Sequence, residues 1–216
     1  MDGINKEFLE YLKIEDKEAA VNFILELLNC GKIDIPTLYL KVLEPSLNNM
    51  TCNGEDENIC IWKEHIRSSI IRTIIECCSP YVSKESKLNK QKNEKVLVVC
   101  PSEEYHELGA RMAADFFTIW GYNSIFVGSN TPQKELINAI NIIDPRYIAI
   151  SVSNSYNLVI VKKVISRIKE KTLNKGLKII VGGYAFKGKP ELYKEVGADF
   201  CINTFDEIER ISKGAI

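Results

Sequence analysis

The chain of 216 residues contains two histidines, and one of them stands in a segment whose residue types could bind a metal. His106 lies in VCPSEEYHELGARMAADFF, residues 99–117, where an apolar run gives way to a polar one. Glu104 precedes it by two residues and Gly109 follows it by three. A neutral imidazole is a good ligand for a first-row transition metal, and a nearby carboxylate can accept its other ring N–H and fix the tautomer. A surface histidine at the start of a helix would fit the same spacing, so this segment alone leaves both interpretations open.

Two further motifs follow apolar runs downstream of this histidine. Ser151 and Ser153 come at the end of YIAISVS, and Gly182 and Gly183 come at the end of LKIIVGG. Each motif has an ordinary structural explanation, because serines can cap a following helix and a glycine pair can form the turn out of a strand. The motifs become informative only if the fold brings them together.

The part of the chain from residue 95 to residue 216 alternates short apolar runs with segments of helical periodicity. The runs are rich in β-branched residues and are KVLVVC, NSIFVG, YIAISVS, LKIIVGG and ADFCIN. Buried strands that alternate with helices predict a five-stranded parallel sheet, doubly wound, with helices on both faces. Ligands of such open sheets bind beyond the carboxyl ends of the strands. The histidine, serine and glycine motifs are therefore predicted to lie at one edge of one sheet.

Residues 1–80 show a different periodicity. Apolar residues recur there at helical spacing, interrupted by the polar stretch NNMTCNGEDEN, and four or five helices with short connections predict a small helical bundle. Residues 81–94 are polar and rich in lysine, which predicts a linker. The sequence thus predicts an N-terminal helical domain, a short connection and an α/β domain over residues 95–216.

Composition and motifs exclude several functions. Lysine and arginine number 28 against 29 acidic residues, a net charge of −1, so no basic excess indicates direct nucleic-acid binding. No apolar stretch is long enough for a membrane span, and the acidic, amphipathic N-terminus is unlike a signal peptide, which predicts a cytoplasmic protein. No C-x-x-C pair, G-x-S-x-G motif or Walker lysine loop occurs, so a zinc ribbon, a nucleophilic catalytic site and an ATP site are not indicated.

The order E-x-H-x-x-G, S-x-S and G-G, with 41 residues between the first two motifs and 28 between the last two, resembles a known family. It is similar to the cobalamin-binding domain of methionine synthase, corrinoid methyl carriers, some mutases and CarH-type light sensors. That family usually reads D-x-H-x-x-G, S-x-(T/L), G-G. The resemblance covers about residues 95–215. It implies a Rossmann-like, flavodoxin-like domain that binds cobalamin, as adenosylcobalamin or methylcobalamin.

The resemblance also implies a role for each motif residue. His106 would replace the benzimidazole of the cofactor as the lower axial ligand of cobalt, with Glu104 behind it. The hydroxyl groups of Ser151 and Ser153 would hydrogen-bond the nucleotide tail of the cofactor. Three glycines would leave room where this tail passes close to the backbone, and they are Gly109, Gly182 and Gly183.

The helical half carries a second resemblance. LYLKVLEPSL and WKEHIRSSIIRTII are similar to the helical cap that precedes the cobalamin domain in methyl carriers and light sensors, where a tryptophan stands ahead of a Glu-His pair. Glu64 and His65 match that pair, which implies that they approach the upper face of the corrin. The family tryptophan, which covers this face, is replaced by Gly54, and Glu55 stands where some light sensors have a histidine.

The residues around His106 indicate which branch of the family the chain resembles more. Methyl carriers usually read D-x-H-D-I-G-K-N, whereas EYHELGARMAADFF followed by GYNSIFVGSNTP is more similar to the sensor branch. The sequence therefore favours a cobalamin-binding sensory or regulatory protein, responding to light or to the upper ligand. Such a protein would pass its signal to a partner protein or through homo-oligomerisation. The alternative is a corrinoid carrier that passes a methyl group between methyltransferases.

Overall fold

The chain folds into two compact units, Met1–Glu85 and Ser86–Ile216. The structure is a computed structural model, and the residues that it describes are 1–48, 57–174, 176–189 and 191–214. Within these ranges, no helix combines the length and the apolar composition needed to cross a membrane.

The first unit is helical, as the apolar periodicity predicts. Its elements are α1 Asp2–Lys13, α2 Lys17–Asn29, α3 Ile35–Leu38, a π-helical turn Tyr39–Leu43, α4 Glu44–Asn48, α5 Glu57–Cys77 and α6 Ser79–Ser86. Asp16 caps α2 by accepting a hydrogen bond from the backbone N–H of Ala19 at 2.9 Å. Asp34 caps α3 in the same way through Thr37 at 2.8 Å. The core of the unit is apolar and includes Phe8, Ile24, Leu38, Tyr39, Val42, Ile70 and Ile74.

The predicted linker, residues 81–94, begins with helix rather than with a polar connection. Helix α6 continues through Ser86, because Val82 is buried and Glu85 anchors the helix to α3. The Glu85 carboxylate accepts a hydrogen bond at 2.8 Å from the backbone N–H of Ile35, and its burial raises its pKa. Two contacts within the first unit therefore extend its helical structure into a segment whose composition is that of a linker.

The second unit contains a five-stranded parallel sheet, which confirms the predicted α/β fold. The strands are β1 Lys95–Pro101, β2 Asn123–Thr131, β3 Tyr147–Ser151, β4 Lys178–Gly182 and β5 Phe200–Cys201. Their order across the sheet is β2-β1-β3-β4-β5, and all neighbouring pairs are parallel. This is the flavodoxin-like order, in which the direction of winding reverses between β1 and β3 and leaves a crevice at their carboxyl ends.

Helices cover both faces of this sheet, and they are α7 Leu108–Ile119, α8 Gln133–Ile143, α9 Leu158–Lys171, α10 Leu192–Val196 and α11 Phe205–Ser212. Leu97 and Val99 of β1 belong to an apolar cluster with residues of α8 and α9, such as Ile140 and Val161. Because successive side chains of a strand point to opposite faces, Val98 faces the other side, where α7 packs against β1 and β2. Burial on both faces explains why these strands are apolar without alternation.

Two strands differ in length from the apolar runs that predict them. β2 continues past Gly128 to Thr131, with irregular pairing to the end of β1, although its last residues are polar. β5 consists of Phe200 and Cys201 alone. The extension of β2 matters for the site, because it carries Asn130 beside the loop that follows β1.

Candidate functional site

The loops that follow β1 and β3 meet at the point where the direction of winding reverses. The first loop, residues 102–107, contains Glu104 and His106, and the second, residues 152–157, contains Ser153. Donors of the second loop reach the carboxylate of Glu104. The fold therefore brings together two motif residues, Glu104 and Ser153, that are 49 positions apart in the chain.

Glu104 is fully buried, and its carboxylate is surrounded by hydrogen-bond donors. Oε1 lies 2.6 Å from Nδ1 of His106 and 3.1 Å from the backbone N of the same residue. Oε2 accepts hydrogen bonds from the backbone N–H groups of Ser153 at 3.0 Å and Asn154 at 3.1 Å, and from Nδ2 of Asn157 at 3.0 Å. Both oxygens are engaged, so the carboxylate connects the His106 ring to the loop after β3.

The donors around Glu104 also determine its charge. Burial acts to raise the pKa of this carboxyl, but the hydrogen bonds from Asn154, His106 and Asn157 outweigh burial and lower the pKa below its usual value. Glu104 is therefore an ionised group that only accepts hydrogen bonds at neutral pH. An ionised carboxylate selects the tautomer of neutral His106 with its proton on Nδ1, which leaves the lone pair of Nε2 available.

The side chain of His106 is 65% exposed, although a buried group fixes its Nδ1. An available ring nitrogen, with a carboxylate bound to the other nitrogen, is the arrangement that metal-ligating histidines commonly show. An imidazole with one available nitrogen would be able to bind the cobalt of a corrinoid cofactor, since such a first-row transition metal accepts nitrogen ligands. The residues present at this edge of the sheet therefore fit cobalamin.

Asn130 at the end of β2 fixes the first loop from the other side. Its side-chain oxygen accepts a hydrogen bond from the backbone N–H of Glu103 at 2.9 Å, and its own N–H donates to the carbonyl of Glu104 at 2.9 Å. Glu103 (φ +66°) and Asn130 (φ +48°) both adopt left-handed backbone conformations, which asparagine tolerates better than most residues. The sequence interpretation missed Asn130. The signal that could have revealed it is an asparagine between an apolar run and Pro132.

Asn157 is the second residue that the sequence interpretation missed. It is 7% exposed, and its Nδ2 lies 3.3 Å from the carbonyl oxygen of Glu103 as well as 3.0 Å from the Glu104 carboxylate. Buried amides are almost always hydrogen-bonded, so a single side chain here joins two consecutive residues of the first loop. The available signal is the polar sequence SNSYN directly after a buried strand.

The two serines of the S-x-S motif occupy different positions. Ser151 is the last residue of β3. Ser153 contacts the site through its backbone N–H, which donates to Glu104. The cap of the following 3₁₀ turn is Asn154 rather than a serine, because its side chain accepts the hydrogen bond from the N–H of Tyr156 at 3.0 Å. Hydrogen bonds from the serine hydroxyls to the nucleotide tail stay a prediction.

The glycines of the motifs have different surroundings. A Cβ on Gly182 would lie 2.2 Å from the carbonyl oxygen of Ile202, and one on Gly183 would lie 2.5 Å from that of Val152. Gly183 also has φ +99°, which favours glycine. The lack of a Cβ at this pair therefore allows the backbone segments that follow β5 and β3 to approach the end of β4. Room for a nucleotide tail stays a prediction. A Cβ on Gly109 would meet no atom of the described residues within 4 Å, so the surface there is open.

Glu64 and His65 lie on helix α5 of the first unit, and both are exposed. Trp62 on the same helix is 57% exposed. Gly54 and Glu55, which replace the family tryptophan and the residue after it, lie outside the described residues. Contact of Glu64 and His65 with the upper face of the cofactor stays a prediction.

Comparison with known families identifies the domain that carries these loops. Residues 94–211 match the model of the B12 binding domain. The match covers more than half of the chain, and the chain belongs to this family. Its cofactor is therefore cobalamin, as the family resemblance of the three motifs implies. No curated protein matches the chain.

Solved structures show the same fold at low sequence identity. The monomethylamine corrinoid protein of Methanosarcina barkeri is 15% identical, with a TM-score of 0.79, and the match covers 100% of this chain and 99% of that chain. A cobalamin-binding protein from Desulfitobacterium hafniense DCB-2 is 16% identical, with a TM-score of 0.50 over 97% of this chain and 90% of that chain. The methanol:cobalamin methyltransferase complex MtaBC from Methanosarcina barkeri is 13% identical, with a TM-score of 0.51 over 99% of this chain and 80% of that chain. These matches confirm a helical N-terminal region combined with a Rossmann-like domain.

Proposed function

We propose that this protein is a corrinoid carrier that passes a methyl group on cobalamin between two methyltransferases. The observation that carries the proposal is the similarity of the whole chain, at a TM-score of 0.79, to the monomethylamine corrinoid protein of Methanosarcina barkeri. The similarity to a methanol:cobalamin methyltransferase complex supports a methyltransferase as the partner. The carrier, which the sequence interpretation ranks second, is therefore the leading proposal.

His106 is proposed as the protein ligand of cobalt. The support is its exposed ring, whose Nδ1 is bound to the buried carboxylate of Glu104. When bound, cobalamin supplies a cobalt atom that accepts and gives up a methyl group. The protein's contribution is to orient the imidazole: Glu104 keeps the proton on Nδ1, and the donors of Ser153, Asn154 and Asn157 keep Glu104 in place.

The remaining motif residues are proposed to contact other parts of the cofactor. Ser151 and Ser153 would donate hydrogen bonds to the nucleotide tail, and the open surface at Gly109 would leave room for it. Glu64 and His65 would approach the upper face of the corrin. Because Ser151 and Ser153 are half-buried and Glu64 and His65 are exposed, all four side chains are partly or fully accessible to a ligand.

A cobalamin-binding sensor is the second candidate, and the residues around His106 favour it. Glu107 and Ala110 stand where methyl carriers usually have aspartate and lysine. Both have a packing role in the structure, because Glu107 Oε2 accepts a hydrogen bond from the N–H of Ser129 at 2.8 Å and Ala110 is fully buried. These residues reflect how α7 packs within the domain, so they support a sensor less strongly than their sequence pattern suggests.

Reconstitution tests the proposal. The purified protein is mixed separately with hydroxocobalamin, methylcobalamin and adenosylcobalamin, passed through gel filtration, and measured by absorption in the dark and after illumination. A carrier is expected to retain cobalamin, and to form methylcobalamin when the reduced, loaded protein receives a methyltransferase and its methyl donor. A light-dependent change of oligomeric state without methyl transfer would identify a sensor instead. Loss of all three cobalamins on gel filtration would overturn both candidates.

A further inference from the structure

Exposed aromatic surface is concentrated at one edge of the second unit. In the described part of this unit, the exposed aromatic side chains are Tyr105, Tyr156 and Tyr184, with 66%, 88% and 68% of their surface accessible. Each lies in the loop or first turn after one of three neighbouring strands, β1, β3 and β4. Because the sheet is parallel, these loops lie at the same edge, which is also the edge that carries His106.

Hydrogen bonds join the three loops into one scaffold. Glu104 ties the loop after β1 to the loop after β3 by accepting the N–H of Asn154 at 3.1 Å. The loop after β3 is tied to the end of β4, because the N–H of Val152 donates to the carbonyl of Gly182 at 2.9 Å. The N–H of Ala185 then donates back to the carbonyl of Val152 at 3.1 Å. The three tyrosines therefore project from backbone segments that are fixed to one another.

Most of the surface of these three side chains is not packed within the domain, although the Lys187 ammonium lies 6.0 Å from the centre of the Tyr184 ring. Directly after Tyr184, Ala185 and Phe186 are 2% and 1% exposed and fill the core. Directly after Tyr156, Asn157 is buried against Glu104. Exposed aromatic side chains that share one edge of a domain are a candidate binding surface. A tyrosine offers a flat apolar ring together with a polar hydroxyl, which suits a ligand that is flat, apolar in its centre and polar at its rim.

We propose that Tyr105, Tyr156 and Tyr184 form an aromatic seat that contacts cobalamin beside His106. The inference rests on the proposed function, since a cobalamin bound to His106 lies at the edge that carries the three rings. A corrin is a flat conjugated ring with amide groups along its rim, so the tyrosine rings can pack against its surface and their hydroxyls can bond the amides. Tyr105 stands between Glu104 and His106 in the chain, directly beside the proposed ligand.

Cobalamin affinity measured on tyrosine variants tests this seat. Hydroxocobalamin is the probe, and its dissociation constant is measured by equilibrium dialysis for wild type, for Tyr105→Ala, Tyr156→Ala and Tyr184→Ala, and for the triple variant. Each single change is expected to weaken binding about three- to tenfold, and the triple change at least about 50-fold. Leu173→Ala is the matched control, because Leu173 is 80% exposed but follows the carboxyl end of α9, away from the three tyrosines in the chain. The cobalamin affinity of this variant is expected to stay within about twofold of wild type.

Two further measurements separate a ring contact from other causes. A triple Tyr→Phe variant keeps the ring surface and is expected to bind within about fivefold of wild type, whereas a loss equal to that of the alanine variant would overturn the ring contact. At saturating hydroxocobalamin the alanine variant is expected to keep the wild-type absorption spectrum, because the cobalt ligand is unchanged. Wild-type affinity in the triple alanine variant would overturn the seat and leave the rings as a surface for a protein partner. Failure of wild type to bind any cobalamin would instead overturn the proposed function, and the seat with it.

Discussion

The two histidines of the chain are both exposed, yet the structure positions them in different ways. His106 follows a strand, and its Nδ1 lies 2.6 Å from a buried carboxylate that is itself bound by donors from a loop about 50 residues away. His65 lies on the exposed side of α5, after Glu64, and its position follows from the helix. The difference teaches that exposure alone does not identify a candidate metal ligand. What distinguishes it is a partner that fixes one ring nitrogen and leaves the other available.

The largest expected effect is the loss of cobalamin binding in His106→Ala. Removing the proposed ligand is expected to weaken binding of hydroxocobalamin by more than about 100-fold, beyond the effect of losing a partner behind the ligand. His65→Ala changes a residue that is proposed to approach the upper face of the corrin but not to bind cobalt, so its affinity is expected to stay within about threefold of wild type. Equilibrium dialysis and the absorption spectrum measure both variants. Equal losses in the two variants, or a His106→Ala spectrum identical to wild type, would contradict the contrast between the histidines.

Two glycines of the motifs show the same contrast. Gly182 is packed against backbone from a distant part of the chain, whereas Gly109 lies on the open surface of helix α7. Gly182→Ala is expected to lower the free energy of unfolding by about 2–4 kcal/mol, because the new Cβ would lie 2.2 Å from the carbonyl oxygen of Ile202. Gly109→Ala is expected to leave it unchanged or to raise it by up to about 1 kcal/mol, since alanine favours a helix and the surface there is open. Urea unfolding followed by circular dichroism measures both. Similar losses would show that the site at Gly109 is not open in solution.

Glu104→Gln sharpens the comparison by changing the partner of His106 and leaving the ring in place. Glutamine keeps the size of the side chain but loses the negative charge that supports the imidazole, so cobalamin affinity is expected to fall about 10–100-fold. Glu103→Gln is the matched control, because Glu103 is adjacent and exposed, and its affinity is expected to stay near that of wild type. Dialysis against hydroxocobalamin measures both. A loss shared equally by the two variants would assign the effect to overall charge rather than to the carboxylate behind His106.

The fold could be predicted because its signals are local in the sequence. Five apolar runs with intervening helical segments correspond to five strands, and only the polar end of β2 and the short β5 depart from them. The pairing of Glu104 with His106 could be predicted for the same reason, since two residues separate their positions. Local spacing and side-chain chemistry are sufficient to predict these strands and this pair.

The contacts that position Glu104 could not be predicted, because they join residues far apart in the chain. Asn157 is 53 residues from Glu104, and Asn130 is 27 residues from Glu103. Periodicity and composition do not indicate which polar loop residue turns inward. The helical start of the predicted linker has the same cause, since it depends on a hydrogen bond to Glu85 from Ile35, 50 residues earlier.

The smallest expected effect belongs to Asn157→Ala, which removes one of the three donors to Oε2 of Glu104. The backbone N–H groups of Ser153 and Asn154 remain, so the carboxylate stays hydrogen-bonded and the His106 ring keeps its partner. Cobalamin affinity is therefore expected to fall only about two- to fivefold, and the free energy of unfolding by about 1–2 kcal/mol for the lost buried hydrogen bonds. Asn123→Ala, at an exposed position in β2, is the control and is expected to change neither quantity measurably. An affinity loss as large as that of Glu104→Gln would mean that the Asn157 amide, rather than the backbone of the loop after β3, keeps the carboxylate behind the proposed ligand in place.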